Sequence, residues 1–229
     1  MGNRCENCIV RQLNSLKVLK KEELKAISDH KVTRSIKKGE SLFSEGEKLN
    51  GIFCVRSGVS KLSKISENGK GQIVKIASKG EMIGQRSIIS EEQTNLSAVA
   101  LDDMEVCFIP KNHLIDNISK NVEFTKALLK HMANDLKFAD TVIVNMAQKT
   151  VKQRVAETIS YLDDNFEKDK DGYIGVILTR EDIANVVGTA KEACIRTLTS
   201  LKKDKIISTQ GKRIKIEDEK ALYNIIQGI

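Results

Sequence analysis

Thr179-Arg180-Glu181-Asp182-Ile183-Ala184-Asn185-Val186-Val187-Gly188-Thr189-Ala190-Lys191-Glu192-Ala193-Cys194-Ile195-Arg196-Thr197-Leu198-Thr199-Ser200-Leu201 is the stretch on which the reading of this chain turns. Thr179 can cap a helix, and Asp182 at the third helical position supplies the acidic partner of a capping box. Ile183, Ala184, Val186 and Val187 give that helix an apolar side, and Gly188 supplies the backbone freedom of a helix C-cap. Thr189 predicts the cap of a second helix, with Glu192 three residues on completing a second box. Two capped helices joined by about three residues around a glycine form a helix-turn-helix. In the second helix Cys194, Leu198 and Leu201 fall at i, i+4 and i+7 and face inward. Lys191, Glu192, Ile195, Arg196 and Thr199 share the other face.

A helix presented in this way offers its N-terminal residues to base edges in the DNA major groove. Arg196 can donate two hydrogen bonds to guanine O6 and N7, Glu192 can accept from a cytosine amino group, and Ile195 can touch a thymine methyl. Glu192 and Arg196 are also i, i+4 partners able to orient each other, although alone such a pair reads as an ordinary exposed salt bridge. Downstream, Ile206 to Ile216 reads as two short strands around Gly211, a wing whose Lys212 and Arg213 can reach phosphates and so position the protein without specifying sequence. The net charge is +7, and between Thr179 and Ile216 nine Lys/Arg stand against four Asp/Glu. A surplus concentrated there favours a polyanionic partner, with a solvated face as the plainer reading.

Working toward the N-terminus, Val151, Val155, Ile159 and Leu162 predict an amphipathic helix that ends in the polar run Asp163 to Gly172, read as a surface loop. Before it, Leu129, Met132, Leu136, Ala139, Ile143 and Met146 alternate spacings of three and four, an a/d seam uninterrupted by charge. So narrow a seam suits a second copy of the helix better than a broad core. From Val32 to Pro110 the period changes. Eight of the fourteen glycines fall between Gly39 and Gly84 and punctuate short β-branched and apolar runs, which predicts an all-β sandwich or barrel. Asn68-Gly69 marks a hairpin between Lys61–Ile65 and Gln72–Val74. Leu13 to Ile27 predicts one or two short helices ahead of it.

At 229 residues the chain is long for one domain. The expected divisions are 1–118 for an N-terminal sensor region, 119–149 for a dimerisation helix and 150–229 for a DNA-binding domain. No apolar run approaches the ~18 residues of a membrane span. Met1-Gly2-Asn3-Arg4-Cys5-Glu6 carries neither an apolar export core nor a myristoylation signal, so a cytoplasmic location is expected. Five cysteines in such a chain argue against a disulfide framework. His30, His113 and His131 show no metal spacing, and no Ser–His–Asp or phosphate-loop pattern supports an enzyme.

Leu178-Thr179-Arg180-Glu181-Asp182-Ile183-Ala184, Val187-Gly188, Lys191-Glu192 with Arg196, Leu201 and the Ile207…Gly211-Lys212 wing resemble the Crp–Fnr superfamily of transcription regulators. Lys37-Lys38-Gly39-Glu40 with Phe43, Val55-Arg56-Ser57-Gly58 and Gly80-Glu81-Met82-Ile83-Gly84 match its barrel motifs, so the resemblance covers nearly the whole chain. It implies an α+β architecture: a cyclic-nucleotide-binding-type β jelly roll, a long dimerisation helix and a C-terminal winged helix-turn-helix. It also implies a homodimer on near-palindromic double-stranded DNA, with RNA polymerase as a partner. The DNA-contacting set it implies is Thr189, Lys191, Glu192, Ile195, Arg196, Thr199, Lys212 and Arg213.

The resemblance departs from the cyclic-AMP-binding branch. The ribose-binding glutamate is Gln85 here, the phosphate-binding arginine is Leu96, and two hydroxyl residues that touch the base are Ala139 and Asp140. Arg86 does not fit the pattern, so cyclic AMP is not expected. Cys5-x-x-Cys8 and Met104-Glu105-Val106-Cys107-Phe108-Ile109-Pro110 resemble the iron–sulfur ligand segments of the oxygen-sensing Fnr branch, but the third N-terminal cysteine of that pattern is Asn14. Cys5, Cys8 and Cys107 then need a fourth ligand: Cys54, an acid or a non-protein thiol, Cys54 being a position the family does not use. Zinc, a redox disulfide or plain burial remain open for these thiols. The competing readings are a nucleotide-binding module that gates a partner protein and a regulator that binds DNA without a ligand.

Overall fold

The computed structural model describes residues 4–229, so Met1, Gly2 and Asn3, read above for an export or acylation signal, lie outside the described residues. Contacts divide the chain into two compact units, one of residues up to Lys64 with Val74–Phe138 and one of Ile65–Ile73 with Ala139–Ile229.

The glycine-punctuated runs, in the first unit except for the Ile65–Ile73 stretch, become strands β1 (Val32–Ile36), β2 (Ser41–Phe43), β3 (Gly51–Ser57), β4 (Ser60–Ile65), β5 (Gly71–Ala77), β6 (Met82–Ile83), β7 (Ser97–Ala100) and β8 (Met104–Pro110). They form two four-stranded sheets, in the orders β1-β8-β3-β6 and β2-β7-β4-β5. The Asn68-Gly69 hairpin forms as read, closed by Gly69 N–H donating to the Ser66 carbonyl at 2.8 Å.

The β3–β8 ladder pairs Phe53 with Phe108, Cys54 with Cys107 and Val55 with Val106. Directly opposed residues point to the same face, and faces alternate along a strand. Phe53 and Phe108 therefore share the face on which Phe43 of the other sheet stacks, its ring 6.0 Å from that of Phe53. Cys54 and Cys107 share the opposite face. Both faces are covered, since every residue of β3 from Gly51 to Val55 is buried.

The cover of the second face comes from the N-terminal segment and the helices. Three 3-10 turns (Cys5–Asn7, Ile9–Leu13, Ser15–Val18) lead into α1 (Lys21–His30). Leu16, Leu19, Leu24 and Ile27 join one core with the strands. Glu23 starts α1 by accepting the Lys20 N–H at 2.6 Å. Two further helices follow within this unit, α2 (Gln85–Ser90) and α3 (Lys111–Lys120).

Helix α4 (Val122–Gln148) begins in this unit, burying Phe124 and Leu128. Its seam then runs uncovered in the single chain: Leu129, Leu136 and Ile143 are 61, 65 and 66% exposed. Ala139 is exposed too, while Met132 and Met146 are half-buried.

The second unit holds α5 (Val151–Asn165), α6 (Arg180–Val187), α7 (Lys191–Lys203), the β9–β10 hairpin (Ile207–Gln210, Arg213–Ile216) and α8 (Glu219–Gln227). Val155, Ile159, Leu162, Ile183, Leu201, Ile207 and Leu222 are among its buried residues. The polar run read as loop from Asp163 is helical through Asn165. An exposed final turn needs no apolar side chains once Thr150 and Gln153 box the other end.

Gly58 closes the β3–β4 turn at φ +82°, and a Cβ there would stand 2.6 Å from the Asp103 carbonyl and 2.8 Å from Met104 Cα. Both obstacles are backbone, so neither can swing away. Gly58→Ala should lower stability by about 2 kcal/mol or more, from left-handed strain plus the clash. A urea midpoint equal to wild type would contradict this packing.

Candidate nucleic-acid interface and cysteine cluster

The helix-turn-helix is built by local capping. Thr179 Oγ1 accepts the Asp182 N–H at 3.0 Å, and the Asp182 carboxylate returns bonds to the Thr179 N–H and hydroxyl. Gly188 ends α6 at φ +68°. The second cap differs from the sequence reading. The N-cap of α7 is Ala190, without a side-chain cap. The Thr189 N–H closes the end of α6 on the Ala184 carbonyl at 3.0 Å, so the donor that a Glu192 box would need is already taken. The second helix thus starts one residue later, and Glu192 belongs to its first turn without a box.

Cys194, Leu198 and Leu201 are buried under α7 as the spacing requires, and burial pushes the Cys194 thiol up to about 11. Lys191, Glu192, Ile195, Arg196 and Thr199 are exposed on the far side, with Thr189 half-buried at the turn. The expected Glu192–Arg196 pair does not form: among the described residues neither is joined to the other. Lys191 instead reaches Glu181 of α6 at 3.4 Å. Two acceptor oxygens and a guanidinium fork therefore stand side by side, with no side-chain partner to displace among the described residues.

The wing forms as read, with Lys212 exposed at its tip. Arg180, at the start of α6, donates to the Gly211 carbonyl at 3.0 Å and ties the tip to the helix-turn-helix. Arg213, read above as a phosphate contact, is engaged at the wing in the free chain. Its guanidinium bonds Asp169, Asp171 and Gln210 and lies 4.2 Å from the Tyr173 ring centroid. Partners more than forty residues away in the chain leave no local trace, so sequence reasoning missed the Asp169–Arg213 clasp.

In the first unit Leu96 is part of the core and Gln85 is buried at the head of α2. Arg86 is held by Asp135 at 3.2 Å. None of the three presents a free charge to a phosphate.

The cysteines gather on the covered face of the β1-β8-β3-β6 sheet. Thr33 is the cross-strand partner of Cys107, which is the partner of Cys54, so the three share one row. Lys31 Nζ lies 3.4 Å from Cys107 Sγ. Asn14 Nδ2 donates to Cys54 Sγ at 3.4 Å and to the Gly80 carbonyl at 2.9 Å. Cys5 opens the first 3-10 turn, its N–H donating to Ser28 Oγ at 2.6 Å, and Cys8 follows that turn.

Burial pushes the Cys54 thiol up to about 12, and the charges of Cys107, Cys8 and Cys5 add to it. Cys5 is likewise raised by burial, against the pull of Lys31, with Cys107 and Cys8 adding to the rise. The four thiols are thus near enough to feel one another. Among the described residues no three His, Cys, Asp or Glu side chains are close enough to hold a single metal ion. Cysteine sulfurs, with the Lys31 ammonium beside Cys107, are the donor chemistry that would hold an iron–sulfur cluster.

The pattern of the cyclic nucleotide-binding domain family matches residues 33–121, and that of the Crp-like helix-turn-helix domain family matches 153–225. The chain is 30% identical over 227 residues to the anaerobic regulatory protein of Pasteurella multocida (strain Pm70), spanning 96% of this chain and 82% of the relative. It is 30% identical over the same length to the fumarate and nitrate reduction regulatory protein of Yersinia pestis, with 96 and 89% covered. Among solved structures, FixK2 from Bradyrhizobium japonicum has a TM-score of 0.78 at 23% identity, covering 85% of this chain and 96% of its own. A Crp/Fnr-family transcriptional regulator from Thermus thermophilus has a TM-score of 0.72 at 21% identity, with 86 and 98% covered. These two structures establish the fold.

The Asp169–Arg213 clasp makes a pH prediction. Burial presses the Asp169 carboxyl up, but Arg213 and the N–H groups of Tyr173 and Asp171 outweigh it and hold the carboxyl below its usual range. A depressed folded-state value means a contribution fully present above the unfolded value near 3.8 and lost as pH falls through the folded one. Carbon-detected NMR should show Asp169 titrating below 3.8 in wild type and higher in Arg213→Ala. Identical titration curves would rule out the clasp.

Proposed function

The chain belongs to the Crp/Fnr family of DNA-binding transcription regulators, and from that premise we propose a homodimer that reads a near-palindromic operator with α7. The observation that carries the reading is the exposed, mutually unbonded pair Glu192 and Arg196 on a helix whose other face is locked by Cys194, Leu198 and Leu201. In the major groove Arg196 donates to guanine O6 and N7, Glu192 accepts from a cytosine amino group, and Ile195 meets a thymine methyl. Thr189, Lys191 and Thr199 flank them. Lys212 takes a backbone phosphate, and Arg213 holds the wing that carries it.

The dimer is formed by α4. Leu129, Met132, Leu136, Ala139, Ile143 and Met146 make an apolar strip that a second copy would cover, and two-fold symmetry then places two α7 helices on two half-sites. RNA polymerase is the further partner of such a complex. A module that only gates another protein would leave the winged helix-turn-helix without a role.

The signal we propose is redox or oxygen, taken through an iron–sulfur cluster held by Cys5, Cys8 and Cys107. Support comes from the gathering of thiols on one sheet face and from relatives whose names refer to anaerobic regulation and to fumarate and nitrate reduction. When bound, the cluster supplies oxidation by oxygen as its chemistry. The chain's own residues supply thiol sulfurs, exclude water and place the Lys31 ammonium against the negative charge of the ligands. Cyclic AMP is not the signal, because Leu96 and Gln85 leave its phosphate and ribose without their partners.

Arg196→Ala should weaken operator binding by about 1–3 kcal/mol and relax selectivity at one base pair, read by fluorescence anisotropy on a panel of substituted sites. Unchanged affinity and selectivity would remove Arg196 from base reading. Leu136→Glu should leave the monomer folded, because Leu136 is 65% exposed there, and abolish the dimer by burying an unpaired charge in the seam. A dimer surviving in sedimentation velocity would refute the α4 interface.

A further inference from the structure

We infer that Cys54 supplies the fourth thiolate of the iron–sulfur site, completing with Cys5, Cys8 and Cys107 a four-cysteine set in which Asn14 stands where a third N-terminal cysteine is missing. The inference rests on the cluster reading above and deepens it. Three thiols leave a four-thiolate cluster one ligand short, and the structure offers a sulfur at the gap.

The first support is register. Cys54 is the direct cross-strand partner of Cys107, so both sulfurs leave the sheet on the same face. That face is the one the N-terminal turns cover, as the Asn14 and Lys31 contacts to Cys54 and Cys107 show. The second support is Asn14 itself. Its amide touches Cys54 Sγ at 3.4 Å and is pinned to the Gly80 carbonyl at 2.9 Å. The position where the resemblance asks for a thiolate and the sulfur that can replace it are thus in contact. As a donor, Asn14 Nδ2 stabilises a thiolate at Cys54 rather than competing with it.

The third support is that the other candidates are committed. Glu6 is bonded to Arg4 and to Ser28 Oγ. Asp29 is paired with Arg4 at 2.9 Å. His30 Nδ1 faces the Ala26 carbonyl at 2.9 Å, and its ring packs on His113 at 4.7 Å. Cys194 lies in the other unit, under α7.

The step is ligation without electron transfer. Each thiol loses its proton to solvent as its sulfur bonds iron, with sulfide and both ferrous and ferric iron supplied from outside in the oxidation states the cluster contains.

The test uses the full chain without oxygen, incubated with a mixture of ferrous and ferric iron and with sulfide, with iron and acid-labile sulfide counted per chain. Wild type should load. Cys54→Val, which keeps an apolar side chain of similar size, should retain less iron by at least the ~10-fold that loss of an outer-shell partner alone costs. Asn14→Cys in the Cys54→Val background should restore loading, since position 14 already touches that sulfur. Rescue separates a lost ligand from damaged packing, and the thermal midpoints of the metal-free variants check the fold. Equal loading of wild type and Cys54→Val would overturn Cys54 as ligand while leaving the cluster reading intact. Loss in Cys54→Val without rescue, with the midpoint lowered, would overturn it in favour of a packing role. Wild type that takes up no iron would overturn the cluster reading and this inference with it.

Discussion

The β3–β8 ladder is the constraint on which the first unit depends. Its register sends Phe53 and Phe108 toward the opposing sheet and Cys54 and Cys107 toward the N-terminal turns. A slip of one residue would exchange the two sets, placing thiols against the aromatic stack and phenyl rings against Asn14 and Lys31. Register is strongly specified here because both faces of β3 are buried, so either exchange costs core packing. The barrel's stability and the gathering of its sulfurs are therefore consequences of one pairing.

What the sequence made legible follows the range of the interaction involved. Thr179, Asp182 and Gly188 act within a few residues, and both the helix they bound and the inward face of α7 at Cys194, Leu198 and Leu201 could be read directly. Strand existence was equally local, signalled by Gly58, Gly69 and Gly80. Sheet partners were not, since β1 lies beside β8 across more than seventy residues. The second capping box does not form, its donor at Thr189 being taken by the end of α6, a competition between neighbours that a motif does not show. The clasp of Arg213 was not legible because Asp169 and Asp171 are remote in sequence. Cys54 was one fourth-ligand candidate among several for the same reason: its partner Asn14 lies forty residues earlier.

The same structure changes what the positive charge means. Nine Lys/Arg between Thr179 and Ile216 suggested a broad electrostatic footprint. Several of them are spent on architecture: Arg180 on the Gly211 carbonyl, Lys191 on Glu181, Arg213 on two aspartates, Lys215 on Glu217. Salt dependence of DNA binding follows the phosphates neutralised, not formal charge. The arginine in the wing is the one that shapes it, and Lys212 stands exposed at the tip.

A path of contacts within the first unit joins the cysteines to the start of the helix that carries the seam. The Cys5 N–H bonds Ser28 on α1. At the other end of α1, both Glu23 carboxylate oxygens accept from Asn121 Nδ2 at 3.0 Å, and the same carboxylate caps α1 through Lys20. Asn121 Oδ1 in turn accepts the Phe124 N–H at 3.0 Å in the first turn of α4. Contiguity alone transmits nothing; a ligand shifts an equilibrium only by binding two states unequally. Here α1 bonds the cysteine-bearing turn through Ser28 and, through Glu23, Asn121, the residue just before α4. The cysteine-bearing turn and the start of α4 are thus joined through α1 although about a hundred residues apart in sequence.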